Sequence, residues 1–264
     1  MQRLLNRVAI VTGASQGLGR GISLQYHKEG ALLVCADLHP EGEGDVSTHE
    51  LIQQQKGKAI FVKTDVSNGK QVEKLVAKAV KEYGRLDIMV NNAGMCTETS
   101  SPKPIDESNE DIFDAHMAVN VKGVYLGCKY ALRQMKKQEP LPNSDRGWIV
   151  NLASVSALVG MHGLPVYSAT KGAVAAMTRA VALDASAHRV HCNAICPGYT
   201  QTSLLTAAIG NLLEGDQKAV EKTIPFRGFG RPIDIARVAT FYASDDASWV
   251  TGTCLAVDGG LTAQ

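Results

Sequence analysis

A short β-branched run, Val8-Ala9-Ile10-Val11, passes directly into Thr12-Gly13-Ala14-Ser15-Gln16-Gly17-Leu18-Gly19. Helix-forming sequence then continues to Glu29 and stops at Gly30. No other stretch restricts the fold as much. Strand, glycine turn and helix in that order build a phosphate site. The glycines permit a tight turn and close backbone approach, and the helix N-terminus offers N–H groups and its dipole to a pyrophosphate. The spacing is G-x-x-x-G-x-G, not the general G-x-G-x-x-G. Alone, such a loop is also read as a tight turn; between a strand and a helix it favours nucleotide binding.

The rest of the chain repeats the alternation. Leu32-Leu33-Val34-Cys35-Ala36 reads as a second strand ending in Asp37, an acid placed to accept hydrogen bonds from ribose hydroxyls. It also repels a 2′-phosphate. No Arg or Lys stands at positions 38 to 40, and Gln16 puts no cation in the glycine loop, so NAD(H) is favoured over NADP(H). Ala59-Ile60-Phe61-Val62 is a third strand leading to Asp65-Val66. Ser67 or Asn68 caps the next helix, whose Val72, Leu75, Val76, Ala79 and Val80 form a core-facing stripe. Leu86 to Val90 is a fourth strand, running into Asn91-Asn92-Ala93-Gly94. That tetrapeptide is either a simple turn or a device holding strands apart beside a nucleotide.

Residues 106 to 119 read as a helix, followed by Asn120-Val121-Lys122-Gly123 and a long helix to about position 138. Trp148 to Ala153 is a buried strand closed by Ser154, whose hydroxyl points into the crevice where open α/β sheets bind ligands. Tyr167 and Lys171 follow on one helix face, one turn apart. A phenol titrates near about 10 and needs a nearby cation to exchange protons at neutral pH. By itself, though, a Tyr-x-x-x-Lys pair reads as a solvated helix face. Val190 to Ile195 and Leu255 to Val257 are the last strands.

Length and charge narrow the rest. A chain of 264 residues suits one large domain, and a net charge of +1 predicts neither a nucleic-acid footprint nor a polybasic membrane patch. No apolar run reaches the length of a membrane span. The first seven residues leave no room for a leader before the first strand, and Leu261-Thr262-Ala263-Gln264 is no peroxisomal address, so a cytoplasmic protein is expected. The six cysteines show neither C-x-x-C nor a His/Cys ligand cluster, and no metal site is expected. On one strand Cys192 and Cys196 stand about 13 Å apart, too far for a disulfide. Most of the thiols read as buried and inert; Cys96, after the ligand loop, is expected to be partly exposed.

Together, Thr12-Gly13-x-x-x-Gly17-x-Gly19, Asn91-Asn92-Ala93-Gly94, Ser154, Tyr167-x-x-x-Lys171 and Pro197-Gly198 resemble the short-chain dehydrogenase/reductase family, in its order and spacing and over essentially the whole chain. The resemblance implies an α/β fold: a single doubly wound Rossmann-type domain spanning 1–264, with a parallel seven-stranded sheet in the order 3-2-1-4-5-6-7. It implies a catalytic set of Asn120, Ser154, Tyr167 and Lys171. Cofactor contacts are expected from Gly13, Ser15, Gln16, Gly17, Leu18, Gly19, Asp37, Leu38, Asp65, Val66, Asn92, Ala93, Gly94, Tyr167, Lys171, Pro197, Gly198, Thr200 and Thr202. Thr200 departs from the family's usual Val or Ile, which changes the local polarity. Ser156, His162 and Tyr199 are the substrate candidates, although a loop His is more often a surface residue. Residues 199 to 224 resemble the family's lid. Its leucines 204, 205, 212 and 213, with Ile209, either cover an apolar substrate or pack on the core, in a segment interrupted by Gly210 and Gly215.

The implied activity is NAD-dependent interconversion of a small-molecule secondary alcohol and ketone, with Tyr167 as acid/base, in a homotetramer or homodimer. Three alternatives stand beside it: an NADP-dependent ketoreductase such as a 3-oxoacyl reductase, a non-catalytic nucleotide sensor or scaffold, and a cofactor-retaining cyclase.

Overall fold

The computed structural model describes all residues except 1, 43, 45, 101, 210–213 and 264. Seven strands form one parallel sheet: β1 (Val8–Thr12), β2 (Leu32–Asp37), β3 (Ala59–Lys63), β4 (Ile88–Asn91), β5 (Gly147–Leu152), β6 (Val190–Pro197) and β7 (Cys254–Val257). Their order is β3-β2-β1-β4-β5-β6-β7, as expected. The order reverses between β1 and β4, which pair through Ala9–Ile88, Ile10–Met89 and Val11–Val90. That reversal opens a crevice at the strands' carboxyl ends.

Successive side chains of a strand face opposite layers, so each strand feeds two cores. Ala9 and Val11 join the layer formed by α1 (Gly17–Lys28), α2 (Thr48–Gln54) and α9 (Pro232–Tyr242). Val8 and Ile10 join the layer of α3 (Gly69–Tyr83), α5 (Gly123–Met135) and α6 (Pro165–Ser186). The buried Tyr26 hydroxyl donates to Ala239 O at 2.9 Å, tying α1 to α9. Burying a side chain of this size contributes about 1.5–3 kcal/mol.

Several boundaries differ from the sequence expectation for local reasons. β4 starts at Ile88 because both main-chain groups of Leu86 are taken by a side chain: its N–H donates to Gln138 Oε1 and its carbonyl accepts from Gln138 Nε2. The helix expected from position 106 begins later, as α4 (Glu110–His116), because the Asn109 side chain caps it by accepting from Asp111 N at 2.8 Å. Between α4 and α5 the helix widens into a π turn, Met117–Lys122. Asn68, not Ser67, caps α3, accepting from Lys70 N and Gln71 N. The 203–224 region holds α7 (Ser203–Ile209) and α8 (Glu214–Lys222), the latter running through Gly215; Gly210, Leu212 and Leu213 lie outside the described residues. Among the described residues no helix is long and apolar enough to cross a membrane.

Candidate active site

A cleft of about 440 Å³ lies along the strand ends. Its β1 side is made by the glycine turn. Gly13 and Gly17 adopt φ of +63° and +52°, the left-handed region that a side chain strains. A Cβ on Gly13 meets Asn92 Nδ2 at 2.8 Å, and one on Gly19 runs into Gly13 O. Gln16, in extended backbone before α1, makes no side-chain cap hydrogen bond to the helix.

Asn92 explains its own position. Its Nδ2 donates to Thr12 O and Gly13 O, while the N–H groups of Asn92 and Ala93 donate to Thr12 Oγ1. The Asn-Asn-Ala-Gly stretch is therefore a clamp that joins the ends of β1 and β4, where a spacer holding them apart was one expectation. At the end of β2, Asp37 Oδ2 accepts from Ser15 N at 3.0 Å and Oδ1 from Leu38 N at 2.8 Å. Asp37, Leu38, Asp65 and Val66 all line this end of the cleft.

The other half is made of buried side chains. Ser154, at the end of β5, is 7% exposed and accepts from Ser156 N at 3.1 Å. Lys171 lies on α6, its ammonium donating to Leu152 O at 2.8 Å and standing 5.6 Å from the centre of the Tyr167 ring. Burial lowers Lys171 to about 8. Burial also pushes the Tyr167 phenol above its usual value, with Cys96 adding to the rise and a hydrogen bond to Ser154 opposing it. The protein alone thus favours the neutral phenol. Desolvation is the largest cause, and the Lys171 ammonium is turned to the Leu152 carbonyl.

Asn120 sits in the π turn and is fully buried. Its Oδ1 accepts from Met95 N at 2.9 Å, and its Nδ2 donates to Met95 O at 2.8 Å and Thr170 Oγ1 at 3.2 Å. Widened turns of this kind recur at functional sites. Thr200 is buried, and its extra hydroxyl donates back to Gly198 O, so the departure from Val leaves no polar group unpaired.

The cleft gathers most of the residues expected there, among them Ser156, Tyr199, Pro197, Gly198 and Thr202. Three expected contacts lie behind its wall. Ser15 is buried and engaged with Asp37 and His39 O, Gly19 packs on Gly13, and Asn120 reaches the site through Met95. Two expectations need correction. His162 is exposed and lies off the cleft lining, because its loop turns Met161 and Leu164 inward instead. Cys96 is buried at 5% exposure although it lines the cleft, since the segment after Gly94 folds over it as a 3₁₀ turn, Thr97–Ser100. Met161, in the loop after Ser154, and Ser203, at the start of the expected lid, also line the cleft, and so do Met95, Thr99, Val119 and Leu164, which were not foreseen. These last four stand beside the motifs, with no spacing that marks them.

Residues 13–262 match the family profile described as enoyl-(acyl carrier protein) reductase. The chain is 35% identical to 2-(R)-hydroxypropyl-CoM dehydrogenase of Xanthobacter autotrophicus, covering 98% of this chain and 100% of that protein. It is also 35% identical to glucose 1-dehydrogenase 2 of Bacillus subtilis, over 98% of this chain and 96% of that one. A crystal structure of a short-chain type dehydrogenase/reductase from Mycobacterium marinum superposes with a TM-score of 0.87 at 29% identity, covering 99% and 97% of the two chains. The chain belongs to the short-chain dehydrogenase/reductase family. It is an oxidoreductase acting on CH–OH groups, in a family that uses NAD(P)(H).

Proposed function

We propose that the protein interconverts a neutral, apolar secondary alcohol and its ketone with NAD(H). The observation that carries the cofactor choice is Asp37: it is the acid at the end of β2, and Lys171 is the one cation among the described residues lining the cleft. A carboxylate there accepts from ribose hydroxyls and repels a 2′-phosphate. The left-handed Gly13 and Gly17 and the size of the cleft support a dinucleotide along its length.

When bound, the nicotinamide accepts or gives the hydride. The chain's own groups manage the oxygen. Ser154 Oγ orients it, and Tyr167 takes the hydroxyl proton in oxidation or donates one in reduction. Lys171 holds the nicotinamide ribose and supplies positive potential beside the phenol. Because burial pushes Tyr167 up, forming its phenolate needs positive charge beside it, which Lys171 would share with an oxidised nicotinamide when one is bound. Asn120 keeps the π turn against Met95 and supports a proton path from Lys171.

The substrate class follows from the lining on the Tyr167 side. Met95, Val119, Met161, Leu164, Leu204 and Leu205 surround the polar Ser154 and Ser156, and no carboxylate or second cation is among the described residues there. An anionic substrate finds no partner in such a lobe. Leu204 and Leu205 support the reading of 199–224 as a cover over substrate. We further assign the protein to the cytoplasm and to a homotetramer or homodimer.

The test is a nicotinamide absorbance assay over neutral and anionic alcohols and ketones, run with both cofactors. Turnover of neutral apolar members with NAD(H) is expected. Preference for NADP(H), or for carboxylated substrates, overturns the respective half of the proposal.

A further inference from the structure

Helix α6, which carries Tyr167 and Lys171, starts without a cap of its own. Leu164 makes no side-chain cap bond, Pro165 has no N–H to satisfy, and no acid stands in the first turn. Ser168 N donates to Leu164 O at 3.0 Å. That leaves the N–H groups of Val166 and Tyr167. Both donate to the carboxylate of Glu98, at 3.2 Å to Oε1 and 2.6 Å to Oε2.

Glu98 arrives from far back in the chain, on the 3₁₀ turn after the Asn-Asn-Ala-Gly clamp, and is 5% exposed. A buried carboxylate is costly unless its oxygens are satisfied. Here two amides and the positive end of a 22-residue helix satisfy it. The segment that carries it is itself pinned. Met95 is held by Asn120, and Thr97 N donates to His116 Nε2 at 3.2 Å while His116 Nδ1 donates to Ile112 O at 2.7 Å. Hydrogen bonds from α4 and the π turn thus hold the short segment on either side of Glu98, whose carboxylate in turn holds the main chain of Tyr167.

We propose that Glu98 is a positioning residue: its buried carboxylate caps α6 at Tyr167 and so sets the phenol against Ser154. The inference rests on the reading of Tyr167 as the group that moves the proton. Ends of helices fray within their first turn, and Tyr167 stands in that turn. An uncapped start lets the reactive phenol wander while the remainder of α6 stays packed.

The test uses the full chain with carbon-13 at tyrosine Cζ, where Tyr167→Phe identifies the Tyr167 signal among the seven tyrosines. Glu98→Gln keeps the size but removes the charge and one acceptor oxygen. In the protein without added ligand, the Tyr167 signal is expected to move while the other six hold. The Tyr167 amide is expected to exchange with solvent about tenfold faster. In NADH-dependent reduction of acetophenone and cyclohexanone, kcat is expected to fall about 10- to 100-fold, with KM and NADH affinity within about twofold. An unmoved Tyr167 signal with unchanged amide exchange overturns the proposal. So does a loss of kcat matched by loss of NADH affinity and by movement of every tyrosine signal, which marks a general structural role. Should Glu98→Gln fail to fold, Glu98→Asp, with the charge kept and the reach shortened, must show the same Tyr167-specific shift, and its absence overturns the proposal. Retained turnover in Tyr167→Phe defeats the reading of Tyr167 itself. An inactive Tyr167→Phe beside an unaffected Glu98→Gln defeats only the role of Glu98.

Discussion

At the β1–β2–β3 end of the cleft the chain offers main chain, the glycine turn and two carboxylates, Asp37 and Asp65. At the β5–β6 end it offers a hydroxyl, a phenol and an ammonium, the last two on one turn of α6. The first end works by backbone shape: Gly13 and Gly17 in left-handed conformations, and Gly19 packed closely on Gly13 O. The second works by desolvation, which raises Tyr167 so that the protein alone favours the neutral phenol, and lowers Lys171 to about 8, where its ammonium is kept at a cost. A shape-based end can be ruined by one methyl group. A desolvation-based end is costly to keep folded.

The comparison breaks most completely at the glycine turn. Gly13→Val puts a branched side chain on a left-handed residue, with its Cβ 2.8 Å from Asn92 Nδ2 and 2.9 Å from Ala93 Cα. NADH affinity measured by fluorescence is expected to fall by more than about 100-fold.

Lys171→Met sharpens the other side. Burial holds the folded Lys171 at about 8 against a usual 10.5, so between these values the unfolded chain binds more protons. Stability therefore rises with pH from about 8 to 10.5, and the cost of the buried ammonium is complete below 8. Removing it is expected to stabilise the ligand-free protein at pH 7 by about 1–3 kcal/mol, while turnover falls about 100-fold. In chemical denaturation the gain should shrink as pH climbs toward 10.5. A gain that is flat with pH counts against a buried cation.

The smallest of these effects is expected at Asp37. Asp37→Ala loses an acceptor for the ribose and frees Ser15 N, so NADH binding is expected to weaken about tenfold. NADPH binding should hold or improve. Paired titrations of the two cofactors check this.

The shape-based end is also the part that sequence shows plainly. Val8–Gly19 carries strand, turn and helix within twelve residues, and Asp37 ends its strand where a ribose contact is needed. Local signals suffice there because local backbone geometry is the mechanism. The desolvation-based end is less open to such reading. Tyr167 and Lys171 are marked only by their spacing and gain their meaning from Ser154, which stands on another element. The sign of the Tyr167 shift depends on burial, which no spacing encodes. His162 looked chemical and proved exposed, while its neighbours Met161 and Leu164 turned inward. Glu98 gave no signal at all, because the two amides it caps lie 68 and 69 positions away. The shifted starts of β4 and α4 have the same cause, a side chain such as Gln138 or Asn109 claiming a main-chain group.

The claim beneath this account is a division of labour, with one end of the cleft holding the dinucleotide and Tyr167 at the other moving the proton. Tyr167→Phe, assayed for turnover and NADH affinity on the same preparation, tests it most directly. Turnover is expected to fall about a thousandfold while NADH affinity stays within about twofold. Turnover kept within about tenfold of the unaltered protein, or affinity lost in step with it, contradicts the division.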